Sequence, residues 1–315
     1  MPKMITIGET MAAFTPGAGG PLRYVNDYRM RIAGAESNVA IGAAKLGIDV
    51  AWISRLGEDE FGHFICNQTR GEGVDCRYLL FDDAHPTGIM FKETGVGETR
   101  VFYYREGSAA SHMTPEDLDE ELFQNASLLH MTGITPILSE DCAKMTEAAF
   151  SMAEHFGLTI SFDPNIRRKL WKGKDHGEMI RGFTLRSHIV LMGLDEADFL
   201  FHTKNPEEIA KTVFGQGKAQ YIILKDGANG AIAMSPQQIV PLPPYPCKAI
   251  EPIGAGDGFN AGFLAGFLQG KDFLTAGRMG CICGALATQT PGDVEGYPDI
   301  RQMEAALEGS QVIYR

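Results

Sequence analysis

The chain has 315 residues, of which 44% are hydrophobic and 22% are charged, as is usual for a soluble globular protein with one large core. Its 28 basic and 40 acidic residues give a formal net charge of −12, which argues against nucleic-acid binding and against an anionic membrane as a partner. The six cysteines form no CxxC pair and no apolar run of about 18 residues occurs, so we expect a reduced, cytoplasmic protein without a membrane segment.

Short apolar stretches alternate with amphipathic stretches along most of the chain. The apolar stretches predict strands at 4–8, 49–57, 128–133, 158–163, 188–193 and 220–227. The other stretches predict helices at 35–47, 60–73, 139–156, 176–186, 195–215, 256–269, 272–290 and 299–308. This alternation is typical of βαβ units, so we predict an α/β fold: a three-layer α/β/α core with a mostly parallel sheet.

Two segments, 12–34 and 85–112, interrupt this alternation with turn glycines and period-two patterning. Within the second, the stretch 88–104 predicts a β-hairpin around Gly95-Val96-Gly97. We therefore predict a small β-sheet lid made of 12–34 and 85–112, over a core made of 1–11, 35–84 and 113–315. Two ordinary surface hairpins are the alternative. The exposed strand edges of such a lid could pair two copies into a homo-oligomer.

A glycine-rich stretch, Gly254-Ala255-Gly256-Asp257, opens the helix predicted at 256–269. The Walker pattern is absent, and no dinucleotide fingerprint follows the first strand. A glycine turn at a helix start offers unpaired N–H groups to an anion and suits the charge of a transferring phosphoryl group. Asp257 would then be placed to take a proton from an attacking hydroxyl. An aspartate that only caps the helix explains this motif, taken alone, equally well.

Four ordered motifs resemble those of the ribokinase-like (PfkB) carbohydrate kinases, and the similarity runs from residue 4 to about 308. The motifs are AGAESNVAIGAAKLG at 33–47, SRLGEDEFG at 54–62, DPNIRRKLW at 163–171 and IGAGDGFNAGFLAGFL at 253–268. The resemblance implies an ATP-dependent carbohydrate kinase that uses Mg²⁺. It also implies that Asp257 is the catalytic base and that Gly254, Ala255 and Gly256 form the anion hole.

The same resemblance implies further binding residues. Gly34 and Asn38 match positions that contact sugar hydroxyls. In the stretch KDGANGA, Lys225, Gly227 and Gly230 match the strand and turn that line the nucleotide, and Asn165 matches a residue that reaches toward the phosphates.

Three stretches differ from the family pattern: Ala33-Gly34 stands for a Gly-Gly pair, Glu251-Pro252-Ile253 stands for a segment such as Asp-Thr-Thr, and the third is the magnesium motif. The family's Asn-x-x-Glu motif, associated with magnesium, corresponds here to Asp195 and Asp198, which could order Mg²⁺ through water. A solvated helix start explains the same pair of acids.

Residues near the proposed lid and in the DPNIRRKLW motif narrow the range of possible substrates. Tyr104 and Arg105 lie at the lid edge, and Arg167 follows the end of a core strand, where α/β proteins bind ligands. An arginine on each side could clamp a carboxylate, whereas Arg168 fits a surface ion pair. This pattern resembles the 2-keto-3-deoxygluconate kinases, in which Asp293 matches a further substrate-hydroxyl position.

We therefore expect a kinase for that sugar acid, with ATP and the sugar acid as its small-molecule partners. Two alternatives stay open. The first is a family kinase for another sugar, such as fructose or a 5-keto-2-deoxygluconate-type acid. The second is a non-catalytic sugar sensor with the same fold.

Overall fold

The structure is a computed structural model, and it describes residues 3–95, 99–171 and 173–309. Its strands are β1 Met4–Ile7, β2 Met11–Pro16, β3 Tyr28–Ala33, β4 Val50–Gly57, β5 Leu79–Asp82, β6 Ile89–Glu93, β7 Arg100–Tyr104, β8 Leu128–Thr132, β9 Thr159–Asp163, β10 Ile189–Gly193, β11 Tyr221–Lys225, β12 Ala231–Ser235 and β13 Gln238–Leu242. Its helices are α1 Ala35–Lys45, α2 Glu60–Gly71, α3 Glu120–Asn125, α4 Glu140–Phe156, α5 Gly177–Arg186, α6 Leu194–Phe201, α7 Pro206–Gln216, α8 Ala255–Leu268, α9 Phe273–Ala287 and α10 Ile300–Glu308.

The larger sheet has nine strands in the order β13-β12-β11-β10-β9-β8-β1-β4-β5. Neighbours from β11 to β5 are parallel, and the β11–β12 and β12–β13 pairs are antiparallel. Successive side chains of β1 enter different cores: Met4 packs on the side of α1, α2, α8 and α9, whereas Ile5 and Ile7 pack on the side of α3, α4 and α5. The predicted three-layer core with a mostly parallel sheet is confirmed.

The smaller sheet has four strands in the order β3-β2-β6-β7. The β2–β6 pair is parallel and the other two pairs are antiparallel. The predicted hairpin is confirmed as the β6–β7 pair, although Val96 and Gly97 of its predicted turn lie outside the described residues. All four strands fall within 11–33 and 89–104, close to the two segments predicted to form a lid.

Two details differ from the sequence prediction. The helix predicted at 195–215 is two helices, α6 and α7, separated at His202, which has a left-handed φ of 57°. Pro206 begins α7, because the first N–H groups of a helix have no intrahelical acceptor and the N–H that proline lacks is therefore not missed there. Strands β5, β12 and β13 were not predicted. None of the helices in the described ranges is long and apolar enough to cross a membrane.

Candidate active site

The glycine turn stands at the N-terminus of α8, as the sequence predicts. Gly254 has a φ of 83°, and a Cβ at this position would lie 2.5 Å from the carbonyl oxygen of Asp293. Ala255 starts the helix and its own N–H donates to the carbonyl of Pro252 at 3.3 Å, whereas the N–H groups of Gly256 and Asp257 have no backbone acceptor among the described residues. A Cβ on Gly256 would meet only the Lys225 ammonium, at 3.8 Å. The turn therefore faces open space that is bordered by a positive charge, as an anion site requires.

The carboxylate of Asp257 lies in the first turn of α8, beside this space. Its Oδ2 accepts a hydrogen bond from Asn38 Nδ2 at 2.8 Å. Burial raises the pKa of Asp257 to about 7, although the hydrogen bond from Asn38 lowers it. Nearby Asp163 raises the pKa further, whereas Lys225 and Arg167 lower it. A carboxylate with this pKa exchanges protons near neutral pH, as a general base must.

A buried network connects the ends of β9 and β11 to α8. Asp163 Oδ2 accepts from Lys225 Nζ at 2.7 Å and from Asn260 Nδ2 at 2.6 Å. Lys225 Nζ also donates to Asn260 Oδ1 at 3.2 Å, and Asn165 N donates to Asp163 Oδ1 at 3.0 Å. Asn165 is buried and has a left-handed φ of 38°, so this loop turns sharply away from the strand. The network holds the Lys225 ammonium next to the glycine turn.

The two acids predicted to order magnesium, Asp195 and Asp198, do not join this network. Both are exposed on α6, and Asp195 pairs with Lys204 Nζ at 2.6 Å with 92% of its side chain exposed. Their role in ordering magnesium stays a prediction. It followed the spacing of two acids, whereas the register of the helix turns both of them to solvent.

The acid that α6 directs into the protein is Glu196. Its Oε1 accepts from Ile166 N at 2.8 Å and its Oε2 accepts from Gly193 N at 2.7 Å. Burial raises the pKa of Glu196, and nearby Asp163 raises it further, whereas Lys225 lowers it. Glu196 therefore belongs to the same charged cluster as Asp163 and Lys225.

The oxygen donors of this cluster fit a magnesium ion that keeps most of its water. Both oxygens of Glu196 already accept from the backbone, and both oxygens of Asp163 are hydrogen-bonded. No cluster of three or more His, Cys, Asp or Glu side chains able to hold a metal occurs in the described part of the chain. The donor set suits Mg²⁺, which binds few carboxylates and is usually bound together with substrate phosphates.

The start of α1 forms the next side of the site. Gly34 has no room for a side chain, because a Cβ would lie 2.4 Å from the carbonyl oxygen of Glu9 and 2.7 Å from Thr10 Oγ1. One helical turn later, Asn38 donates to Asp257 through Nδ2, while its Oδ1 is buried without a hydrogen-bond partner among the described residues. This orphaned oxygen is available to accept a hydrogen bond from a ligand hydroxyl.

The small sheet presents Tyr103 rather than Tyr104 on the side of Arg105. Alternate side chains of a strand point to opposite faces, and Tyr103 packs with Met90 on the face from which Lys92 reaches Asp293. Tyr104 is exposed and its ring packs edge-on against Phe91 on the opposite face. The role of Tyr104 as a substrate contact stays a prediction, and Tyr103 is the tyrosine that lies on the side of Arg105.

The two arginines predicted to clamp a carboxylate are in different environments. Arg105 is largely buried and forms an ion pair with Glu9, with Nε donating to Oε2 at 2.6 Å. Glu9 Oε1 also accepts from Ser108 Oγ at 2.5 Å. Arg167, in contrast, is exposed and lies close enough to Asp257 to lower the pKa of that carboxyl. Arg105 is thus held in place by the protein, whereas Arg167 offers its guanidinium to solvent.

Asp293 lies against the glycine turn, but its carboxylate already has a partner. Its Oδ1 accepts from Lys92 Nζ of β6 at 2.8 Å, and both side chains are buried. Any substrate hydroxyl would have to share Asp293 with this lysine.

The turn after β11 has the backbone that its glycines predict. Gly227 and Gly230 have φ of 52° and 97°, and a Cβ on Gly230 would lie 2.2 Å from the carbonyl oxygen of Leu242. Beside the turn is a cleft of about 250 Å³, lined by Asp226, Asn229, Ala231, Ile232, Pro241, Leu242 and Pro243. The cleft adjoins the strand that carries Lys225.

Sequence reasoning missed several residues of the site. They are Glu9, Lys92, Asp163, Glu196 and Asn260. Asp163 and Asn260 stand inside recognised motifs, and their polar side chains next to apolar runs were a usable signal. Glu9 and Lys92 gave no such signal, because their partners are 96 and 201 residues away in the chain.

A glycine turn at a helix start, a carboxyl group with a pKa near neutrality and a lysine beside both suit a phosphotransferase that acts on a small hydroxyl compound. The chain belongs to the PfkB family: the model described as "pfkB family carbohydrate kinase" matches residues 1–300. The protein is therefore a carbohydrate kinase, which transfers a phosphoryl group from ATP to a sugar. The resemblance seen in the sequence is confirmed.

Two relatives and one solved structure are similar over nearly the whole chain. A 2-dehydro-3-deoxygluconokinase of Bacillus subtilis (strain 168) is 35% identical over 319 residues, covering 99% of this chain and 97% of that protein. A 2-dehydro-3-deoxygluconokinase of Thermoproteus tenax is 31% identical, covering 98% and 95%. The crystal structure of 2-dehydro-3-deoxygluconokinase from Thermotoga maritima has a TM-score of 0.90 at 24% identity, covers 98% of each chain and shares the fold.

Proposed function

We propose that this kinase phosphorylates the terminal hydroxyl of 2-keto-3-deoxygluconate, also called 2-dehydro-3-deoxygluconate, to give the 6-phosphate. The observation that carries the proposal is the exposed guanidinium of Arg167 beside Asp257, which suits a substrate with a carboxylate at one end and a hydroxyl at the other. The names of the relatives at 35% and 31% identity support the same substrate. A neutral sugar has no group that requires this arginine.

A chain of contacts connects the second arginine to the base. Arg105 pairs with Glu9, the Glu9 carbonyl abuts Gly34, and α1 carries Asn38 from there to Asp257. Glu9 pairs with Arg105 on one side of the guanidinium, and within the described part of the chain the N–H groups on its other side could donate to a ligand. We propose that Arg167 binds the carboxylate of the sugar acid, and that Arg105 and Tyr103 orient the carbon chain from the lid.

The transfer step uses the groups around the glycine turn. The terminal hydroxyl gives its proton to Asp257 as its oxygen attacks the γ-phosphorus of ATP, and ADP leaves with the electrons of the broken P–O bond. The N–H groups of the turn and Lys225 stabilise the charge on the transferring phosphoryl group. Glu196 and Asp163 would hold Mg²⁺ through water, and the bound ion would supply further neutralisation of the phosphates. Asn38 Oδ1 accepts from a sugar hydroxyl.

The test compares two neighbouring arginines. Arg167→Met removes the proposed carboxylate ligand, while Arg168→Met is the matched control, because Arg168 is exposed and stacks over the Phe199 ring at 5.3 Å. A charge-assisted hydrogen bond contributes about 1.5–3 kcal/mol, so Arg167→Met should lower kcat/KM for the sugar acid by about 10- to 150-fold. Because Arg167 lowers the pKa of Asp257, the rates are compared well above pH 7, where the base is ionised, and activity with fructose should then stay unchanged in both variants.

ADP release in a coupled assay gives these rates. An equal loss of kcat/KM for fructose and for the sugar acid would show that Arg167 does not recognise the carboxylate. If the wild-type enzyme prefers fructose or a 5-keto-2-deoxygluconate-type acid, the proposed substrate is wrong. The proposed phosphoryl transfer at Asp257 is not affected by that result.

The setting and assembly of the protein are also proposals. All six cysteines are free thiols, which suits the reducing cytoplasm where ATP is made. The outer face of the small sheet exposes Met30, Phe102 and Tyr104, which supports pairing of two lids into a dimer. Sedimentation at micromolar concentration tests this, and a monomer would contradict it.

A further inference from the structure

Lys92 of β6 is buried to an extent that is unusual for a lysine. Its side chain is 1% exposed, and its ammonium reaches from the small sheet to two carboxylates of the core. Nζ lies 2.8 Å from Asp293 Oδ1 and 3.8 Å from Glu251 Oε1. Burial of a charge is costly unless the charge is paired, and a well-packed apolar side chain would often stabilise the fold as well or better. Stability alone therefore does not explain this lysine.

The two carboxylates stand on either side of the glycine turn. The backbone of Asp293 packs directly on Gly254, where a Cβ would lie 2.9 Å from the Asp293 Cα. Glu251 comes three residues before Gly254, and its N–H donates to the carbonyl of Thr288 at 3.1 Å. The segment 250–254 and the segment 288–293 thus pack together, and Lys92 contacts a carboxylate from each.

The Lys92 ammonium offsets the repulsion between the two carboxylates that it contacts. Burial raises the pKa of Glu251, Lys92 lowers it and Asp293 raises it, so the two acids repel each other when both are ionised. Glu251 Oε1 has no hydrogen-bond partner among the described residues. Arg31 also lowers the pKa of Glu251, but it forms its ion pair with Glu295. Removal of the Lys92 ammonium would take away the cation that contacts both carboxyl groups, and the segments that carry them would have to separate or take up a proton.

We propose that Lys92 is a positioning residue that couples the small sheet to the geometry of the glycine turn. With β6 in place, the ammonium holds Asp293 and Glu251 together and so fixes the backbone around Gly254. When β6 moves away from the core, this constraint is lost and the N–H groups of the turn are no longer held for the phosphoryl group. The proposal rests on phosphoryl transfer at Asp257 and does not depend on which sugar is the substrate.

Three variants test the coupling. Lys92→Met removes the charge and keeps the length of the side chain, and Lys92→Arg restores the charge. Arg100→Met is the matched control, because it removes an exposed positive charge from the same sheet, where Arg100 pairs only at 3.6 Å with Glu93. Steady-state kinetics are measured with the sugar that wild type turns over fastest. Hydrogen exchange read by mass spectrometry follows the segments 89–93 and 250–256.

The expected result has a kinetic part and a structural part. Lys92→Met should lower kcat by about 10- to 100-fold and leave KM for ATP within about threefold, because small displacements of positioning groups have effects of this size on turnover. Exchange should accelerate in both segments. Lys92→Arg should recover most of kcat and of the exchange protection, and Arg100→Met should match wild type in both measurements.

Two outcomes would overturn the proposal. One is faster exchange confined to 89–93, and the other is an unchanged kcat together with a lower melting temperature. If Lys92→Met does not fold, Asp293→Asn weakens the same contact with little change of shape, and faster exchange in both segments is again required. Because exchange is measured without turnover, a wrong substrate assignment would not affect this test.

Discussion

Replacement of Asp257 by asparagine gives the sharpest test of the catalytic base. The amide keeps an oxygen that can accept from Asn38, which donates at 2.8 Å in the wild-type site, but it cannot take a proton. A positioned general base contributes about 10²- to 10⁴-fold, or about 3–5 kcal/mol of transition-state stabilisation. We expect Asp257→Asn to lower kcat by that factor and to change KM for the sugar by less than about threefold.

The pH dependence separates this role from a structural one. The base acts when it is ionised, and burial raises its pKa to about 7, so wild-type kcat/KM should fall below a midpoint near pH 7. The assay is initial ADP release at saturating ATP from about pH 5.5 to about pH 8.5, and the variant should lack this midpoint. A variant with more than about a tenth of wild-type turnover, or one that keeps the midpoint, would refute the assignment.

Stability should change in the opposite direction to activity. The pKa of Asp257 is raised from 3.8 in the unfolded chain to about 7 in the fold, so its ionisation lowers the stability of the folded state as pH rises through this interval. Above pH 7 the full cost is present, and Asp257→Asn should then unfold at the same temperature as wild type or at a higher one. A variant that loses both turnover and melting temperature at pH 8 would indicate a structural role.

The remaining predictions concern the glycine turn and the small sheet. Gly254→Ala should lower both the melting temperature and kcat. The control is Gly270→Ala, because Gly270 is also left-handed, at φ 72°, but nothing lies within 4 Å of a Cβ placed there. This control should lower the free energy of unfolding by about 1 kcal/mol and leave kcat unchanged. Tyr103→Ala should raise KM for the sugar acid, and the control Tyr104→Ala should not, because the two rings lie on opposite faces of β7; equal effects in steady-state kinetics would contradict this orientation.

Much of the core could be predicted because its signals are local. A strand buried on both faces, such as β10, reads as an unbroken apolar run, and helices of the core begin with caps such as Ser139. The glycine turn was also local, since Gly254 needs a left-handed backbone and Gly256 leaves open space. These features depend on residues that are close together in the chain.

The sequence was least informative where a contact depends on the direction of a side chain or on a pairing between residues far apart in the chain. In β7 the alternation of side chains was visible, but the sequence did not show which face carries the side chains that reach the glycine turn, so it did not separate Tyr104 from Tyr103. On α6 three acids occur within four positions, and only the direction of the helix selects Glu196. The pairing of Arg105 with Glu9 joins residues that are 96 positions apart, which no local pattern encodes.

The most direct test of the proposed function is the acceptor preference of the wild-type enzyme. ADP release is measured with 2-keto-3-deoxygluconate, a 5-keto-2-deoxygluconate-type acid, fructose and ribose, and the product is located by phosphorus-coupled NMR. We predict the highest kcat/KM for 2-keto-3-deoxygluconate, with the phosphate on its terminal carbon. A higher kcat/KM for a neutral sugar, or a phosphate at another carbon, would contradict the account.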